Sequence, residues 1–400
     1  MGTSKFDEPY ESTSFTLARY LARDNQVFYV DYPFTWRDYF RHRGGAQFTR
    51  RRGHFSPWSS GLIDTDIPGL KVVICPPMAS INFLPEGRFY RSVLWLNQTT
   101  IVRRLQRIIR QFGVSDYIFL NSFSFGFPDV AYRLKPAPAL TIYQSVDPLI
   151  IEYDKRHGYI SEPWLVRHSD ICICTSRALY EEKRQWNPNT FFVPNAADLG
   201  HSSRALDPSL ALHPGVASLP RPIIGYFGNI ERRIDYELLA AVFAAHPEKT
   251  FVFAGAISTE WPAPEWFYHT PNVVLLGRQP FSDMPSIVKA FDVAIIPFKL
   301  DPVSRTIFPL KLFEYLGAGR AVVSTMFNPD LAENTNGTVA FCADASAFSA
   351  AITDALASSG PSALEARLAV ASANTWEARV SQLEGLIDEF LAQKKVHATA

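Results

Sequence analysis

Short runs of Val, Ile, Leu, Phe and Tyr alternate with amphipathic stretches along the whole chain. In the first half the apolar runs fall at 26–33 (QVFYVDYP), 71–77 (KVVICPP), 117–122 (YIFLNS), 140–148 (LTIYQSVDP), 171–176 (ICICTS) and 190–196 (TFFVPNA). Between them lie SFTLARYLAR, LNQTTIVRRLQRIIRQFG and SRALYEEKRQW, which carry a helical period. Continuous apolar runs separated by helices predict a parallel sheet covered on both faces. The stretch 199–222 (LGHSSRALDPSLALHPGVASLPRP) has neither period and predicts a domain boundary. Alternation restarts at 222–229, 249–256, 272–277, 292–298, 320–325 and 338–341, and the chain ends in helical pattern. The reading is two doubly wound α/β domains in series, residues 1–200 and 221–375, with a closing helix over 376–400. The first amphipathic segment has no strand before it. Either the first domain lacks its opening strand or the sequence begins just after it.

Length and composition support this picture and remove several classes of function. At about 150 residues per domain, 400 residues suit two or three domains. The hydrophobic share of 47% and charged share of 20% are ordinary for globular proteins. The 4 cysteines form no CxxC pair and the 9 histidines no HExxH, which disfavours structural zinc, zinc hydrolase and thioredoxin chemistry. Free thiols suit a reducing cytosol. The longest uncharged run, Val72 to Pro85, is too short for a membrane span of about 20 residues. The opening MGTSKFDEPYES lacks the apolar core of a secretory signal. Net charge is zero, which argues against a nucleic-acid binder. Six arginines nevertheless meet one aspartate in Trp36–Trp58.

The densest chemical signal is PLKLFEYLGAGRAVVST, residues 309–325. Pro309 suits the first turn of a helix, and Gly317 and Gly319 suit its end. Lys311 then lies in the first turn, where a cation opposes the helix dipole by about 0.3–1 kcal/mol. An anion bound at that terminus would offset the cost, since first-turn amides and an ammonium make a phosphate site. Glu314, one turn on, is placed to reach hydroxyls such as those of a ribose. Spacing alone fits a surface Lys–Glu pair equally well.

This segment resembles the donor-site helix of family 4 GT-B-fold glycosyltransferases, whose pattern is P-x-K-x-x-E-Y-x-A-x-G-x-P-V-V. Further blocks resemble the family in order: Thr175–Tyr180, Val193–Asp198, Ile224–Leu239, Asn272–Gly277, Phe291–Phe298 and Asn374–Arg379. The resemblance covers about residues 170–390. Residues 1–35 are similar to the teichuronic-acid and exopolysaccharide branch. The implied fold is GT-B, two Rossmann-like doubly wound domains facing across a cleft. The closing helix would cross back to the first domain.

The resemblance also implies roles. Glu314 stands where the family binds ribose hydroxyls. Lys311 and the backbone of Phe308, Pro309 and Leu310 would face the diphosphate. Gly228 ends the first strand of the second domain, where backbone passes close to phosphate. Arg232 and Arg233 follow in a loop that supplies a basic residue, and the sequence does not choose between them. A solvated loop pairing with Glu231 and Asp235 is the plain alternative. Many members carry a second glutamate eight residues before the first; here that position is Thr306. Ser304 and Arg305 are the polar groups left to face the sugar.

In the first half, Asp147 closes an apolar run and is a candidate to orient an acceptor hydroxyl; Asp129 follows a similar logic. Both read equally as turn residues. His157 and His168 read mainly as structural. Asp7, Glu11, Ser12 and Ser14 flank the opening segment, where the family binds donor or acceptor.

No G-x-G-x-x-G or G-x-x-x-x-G-K-[ST] follows a strand, which disfavours nicotinamide enzymes and P-loop NTPases. No G-x-S-x-G elbow occurs. The implied activity is transfer of a hexose from a nucleoside diphosphate sugar to a glycan or lipid-linked acceptor. Retention is expected, without a metal ion or cofactor. Lys311, an arginine and the helix dipole would stabilise the leaving diphosphate. A nucleotide-sugar epimerase of the same fold and a non-catalytic glycan- or partner-binding protein are the alternatives. The Trp36–Trp58 segment, with its arginines and aromatics, reads as a mobile loop able to meet an anionic membrane surface from the cytoplasmic side. A solvated loop or a grip on an anionic glycan fits it as well.

Overall fold

The computed structural model describes residues 1–8, 12–150, 152–358 and 360–399; Glu11 lies outside them. The chain forms two compact units, Met1–Val193 with Val380–Ala400, and Pro194–Arg379.

In the first unit, strands β1 (Val27–Val30), β2 (Leu62–Asp64) and β3 (Leu70–Val73) form a small sheet in the order β1-β3-β2. β1 runs parallel to β3, and β2 is antiparallel to it. A second, parallel sheet holds β4 (Ile118–Ser122), β5 (Leu140–Ser145), β6 (Ile171–Cys174) and β7 (Thr190–Phe192), in that order. Met1 and Gly2 occupy the strand position between the two sheets. Gly2 pairs with Ser122 and its N–H donates to the Val30 carbonyl at 3.2 Å. The long helix Arg88–Phe112 packs Ile101, Leu105, Ile108 and Ile109 into a core shared with Val30, Val73 and Phe119. The last residues of the chain belong to this unit through Lys394, whose ammonium lies 2.7 Å from Asp170.

Two features of this unit correct the sequence reading. β2 and the helix Glu152–His168, which carries Pro163 inside it, were not expected from the pattern. The segment Trp36–Trp58 is also not a mobile loop. It forms helices Trp36–Arg41 and Ala46–Arg51 and a 3-10 turn Arg52–His54. Phe48 and Phe55 join Phe34, Val72 and Ile74 in a hydrophobic core. Arg51 is 0% exposed and is held by Asp31 at 2.8 Å and Asp7 at 2.6 Å. Composition could not separate this buried arginine from its exposed neighbours, because its carboxylate partners lie 20 and 44 residues away.

The second unit is built on one parallel sheet of β8 (Ile223–Phe227), β9 (Thr250–Ala254), β10 (Val273–Gly277), β11 (Val293–Ile296), β12 (Ala321–Thr325) and β13 (Val339–Cys342). The order is β10-β9-β8-β11-β12-β13, which is the doubly wound 3-2-1-4-5-6 arrangement. Every residue of β9, β11 and β12 is buried, which explains their unbroken apolar runs. The expected boundary at 199–222 moves. The divide falls at Val193/Pro194, and residues 199–217 pack as short helices on the second unit. Lys289 donates to the carbonyls of Asp207, Pro208 and Leu210, fixing a stretch that has no period of its own.

Candidate active site

In a doubly wound sheet the ligand crevice lies beyond the carboxyl ends of the strands where their order reverses. Here that point is between β8 and β11. Gly228 follows β8, Phe298 follows β11, and the helix Leu310–Gly317 carries Lys311 to the same place. Three hydrogen bonds fix this helix. The Phe227 N–H donates to the Tyr315 hydroxyl at 2.7 Å, and that hydroxyl donates to the Phe227 carbonyl at 3.2 Å. Asn195 donates to the Phe308 carbonyl at 2.9 Å.

Lys311 is the centre of the site. Its Nζ donates to the Tyr226 hydroxyl at 2.6 Å, lies 4.0 Å from the Tyr226 ring centroid and 5.2 Å from that of Phe298. Gly228 has a φ of 139°, and a Cβ there would lie 2.5 Å from the ammonium. Glycine is therefore required twice, for backbone and for space. A Cβ at Gly255 would collide with the Gly228 carbonyl, so the two glycines fix how closely the loops approach. Burial pulls the Lys311 pKa down from 10.5 to about 7, and the Arg233 charge adds to the shift. Glu314 and Glu231 oppose it.

The structure distinguishes the two arginines. Arg233 pairs with Glu231, and its guanidinium lies 5.5 Å from the Phe298 ring centroid. Phe298 thus lies against both cations. The Nη2 of Arg232 is buried without a hydrogen-bond partner among the described residues. Glu314 is 6% exposed and close enough to Lys311 to influence its charge.

The remaining expected residues divide. Pro309 is the N-cap of the Leu310–Gly317 helix rather than part of its first turn, in extended conformation and without a side-chain cap. Phe308 is a core residue stacked on Phe313, with centroids 5.7 Å apart. Leu310 opens the helix. Ser304, Arg305 and Thr306 form a 3-10 turn just before it. Thr306 donates to the Val303 carbonyl at 2.7 Å, Arg305 is exposed, and the buried Ser304 hydroxyl has no hydrogen-bond partner among the described residues.

Asp147 lies in the first unit, exposed just beyond β5. Asp129 is engaged by Gln98, whose amide donates to its carboxylate at 3.1 Å and accepts from its N–H at 2.6 Å. His157 stacks on Tyr90 at 3.7 Å, and His168 stacks on Trp164 at 4.1 Å. Asp7 binds Arg51, Ser12 caps the helix Thr13–Leu21, and Ser14 meets the Tyr29 hydroxyl at 3.2 Å. These contacts tie Asp129, His157, His168, Asp7, Ser12 and Ser14 into the first unit.

Tyr226 and Phe298 are the site residues that sequence reading passed over. Tyr226 is two residues before Gly228, and a period of two puts both on one face of the strand end. That spacing was the available signal.

Residues 221–358 match the sequence model of glycosyl transferases group 1. The chain is 23% identical over 299 residues to the putative teichuronic acid biosynthesis glycosyltransferase TuaH of Bacillus subtilis (strain 168), covering 61% of this chain and 75% of that one. Among solved structures it is similar to sucrose-phosphate synthase from Thermosynechococcus elongatus, with a TM-score of 0.65, 16% identity and 98% of each chain covered. It is also similar to HepE (Alr3699) of Anabaena in complex with UDP, with a TM-score of 0.61 and 14% identity over 96% of this chain and 98% of that one. The fold is GT-B, and the protein is a glycosyltransferase. It carries a group 1 glycosyltransferase domain and is related to TuaH.

Proposed function

We propose that this glycosyltransferase takes a hexose from a nucleoside diphosphate sugar and transfers it to a hydroxyl of a glycan or lipid-linked acceptor. The observation that carries this reading is the Lys311 ammonium above Gly228, at the reversal point of the sheet, with Arg233 beside it. Arg233 already meets Glu231, while the Lys311 ammonium meets a hydroxyl and two aromatic rings, which leaves room for a further counter-charge there. Two cations share one aromatic ring, and burial holds Lys311 at the edge of losing its proton. A diphosphate would satisfy both and shift the proton balance toward the ammonium.

The chemistry follows from the same charges. As the glycosidic bond breaks, negative charge grows on the leaving diphosphate. Lys311, Arg233 and the amides at the start of Leu310–Gly317 supply fixed positive charge there without a metal ion. Glu314 would accept hydrogen bonds from ribose hydroxyls. Arg305 and Thr306 would face the sugar, with the buried Ser304 beneath them in the same turn. Asp147 would orient the acceptor. Retention of anomeric configuration accords with the family resemblance, and the relation to TuaH supports a place in surface polysaccharide assembly.

The test is a panel of nucleoside diphosphate sugars with and without glycan acceptors. Release of nucleoside diphosphate that rises with acceptor, together with a glycoside product of unchanged anomeric configuration, is the expected result. Free epimerised sugar nucleotide as the only product would overturn the reading in favour of an epimerase.

A further inference from the structure

The helix Arg88–Phe112 has a face that the fold of the first unit does not use. Six of its 25 residues are arginine and none is acidic. Arg104 is buried and donates to the carbonyls of His54, Ser56 and Ser59. Arg88, Arg103 and Arg110 are exposed. At about 100° per residue these three share one stripe with Ser92, Trp95 and Thr99, and Phe89 and Leu96 lie along its edge.

The apolar members stand out from the surface. Phe89 is 70% exposed, Trp95 53% and Leu96 56%, and Phe83 in the preceding loop is 67% exposed. Arg156 donates to the Phe83 carbonyl at 2.7 Å, and Asn82 donates to that of Tyr153 at 2.5 Å, which brings the exposed Tyr153 alongside. Trp95 is not loose. The Arg133 guanidinium lies 5.0 Å from its ring centroid and donates to its carbonyl.

One end of this face is therefore aromatic and aliphatic, and the helix brings positive charge only; the nearby carboxylates Glu86 and Glu152 are paired with Arg91 and Lys155. Clustered exposed apolar groups mark an interaction surface. A polyanion in water would use the arginines and leave the aromatics idle. A bilayer with anionic headgroups uses both, because aromatic rings settle at headgroup level while arginines meet lipid phosphates. We propose that this face docks the protein on an anionic lipid bilayer. Phe83, Phe89, Trp95 and Leu96 enter the interface, and Arg88, Arg103 and Arg110 lie against the phosphates. This surface is distinct from the Trp36–Trp58 segment, whose Trp36, Phe40 and Trp58 are also exposed, and it does not depend on the donor chemistry.

The experiment is co-sedimentation of the full chain with vesicles of phosphatidylcholine, alone or mixed with phosphatidylglycerol. The protein should pellet with the mixed vesicles at low salt, be released at high salt, and stay in solution with phosphatidylcholine alone. Changing Arg88, Arg103 and Arg110 together to Gln should lower partitioning about fivefold per arginine, or about a hundredfold. Changing Phe89, Trp95 and Leu96 together to Ser should also release the protein, at unchanged charge. Phe83→Ser, in a loop, should weaken sedimentation without touching a helix. Nucleoside diphosphate binding and the thermal midpoint, followed in parallel, should not move. Wild-type protein remaining in the supernatant with mixed vesicles at low salt overturns the proposal. Unchanged sedimentation of both the Phe89/Trp95/Leu96 and Phe83 variants overturns it too, since the arginines would then act alone.

Discussion

The Lys311 ammonium donates to the Tyr226 hydroxyl at 2.6 Å, and that hydroxyl in turn donates to the Asn229 carbonyl at 2.8 Å. The direction is fixed. Because the tyrosine proton points at Asn229, its oxygen faces Lys311 as an acceptor. The tyrosine thus anchors the lysine over Gly228. Tyr226→Phe keeps the ring and removes this acceptor. Affinity for a nucleoside diphosphate should fall by about 1–2 kcal/mol, with the parent nucleoside unaffected. Calorimetric titration of both ligands checks it.

The pH dependence follows from Lys311. With a pKa of about 7, the free protein carries a partly neutral lysine near neutrality, whereas a bound diphosphate favours the ammonium. Diphosphate affinity should therefore fall as pH rises through 7, and binding above that pH should take up a proton. Titrations in two buffers of different ionisation enthalpy measure the uptake. The sign for stability is the opposite. Between about 7 and 10.5 the unfolded chain binds a proton that the folded chain lacks, so this group's contribution to stability rises with pH. Lys311→Met should raise the thermal midpoint of the ligand-free protein, by more at pH 7 than at pH 10, while weakening diphosphate binding.

Gly228→Ala should act through the same lysine. Its Cβ would meet the ammonium at 2.5 Å, and its φ of 139° is strained for any L side chain. Loss of stability of about 1–3 kcal/mol and loss of diphosphate binding are expected together. Thermal unfolding with and without UDP measures both effects.

Much of this was legible in the sequence. The expected strand runs all appear; β5, β6, β9, β11 and β12 are buried throughout, which leaves continuous apolar runs, while β10 at the sheet edge is only half-buried. The helix that carries Lys311 and Glu314 was legible between Pro309 and Gly317, but its spacing fitted a surface pair equally well, and burial of Glu314 beside Lys311 needed the fold. What stayed hidden depended on long-range partners. Arg51 looks like Arg50 and Arg52 until Asp31 and Asp7 are seen around it. Arg233 could not be told from Arg232 until Phe298, 65 residues later in the chain, came against it. β2 is three residues long and carries too little pattern to register.

The buried arginine gives a sharp contrast among three adjacent residues. Arg51→Ala leaves Asp31 buried without its counter-charge and should cost about 3–5 kcal/mol. Arg52→Ala is a surface change and should stay within about 0.5 kcal/mol. Arg50 is 62% exposed and 3.5 Å from Asp7, so Arg50→Ala should cost no more than about 1 kcal/mol. Urea unfolding of the three variants separates them.

Glu314 is buried, so its truncation to Ala would confound packing with binding. The isosteric Glu314→Gln removes the charge and keeps the shape. Donor binding should weaken by about 1.5–3 kcal/mol, and a 2′-deoxy nucleotide sugar should lose less in the variant than in the wild type. Equal losses in both proteins would remove Glu314 from the ribose site.

The central claim is that Lys311 holds a diphosphate at the reversal point of the second sheet. Calorimetric titration of UDP, GDP and ADP and of their parent nucleosides into wild-type protein and Lys311→Ala at pH 7 tests it most directly. At least one diphosphate should bind the wild type and lose about tenfold or more in the variant, while its nucleoside binds both alike. Equal losses for nucleoside and diphosphate, or diphosphate affinity untouched by the substitution, would contradict the account.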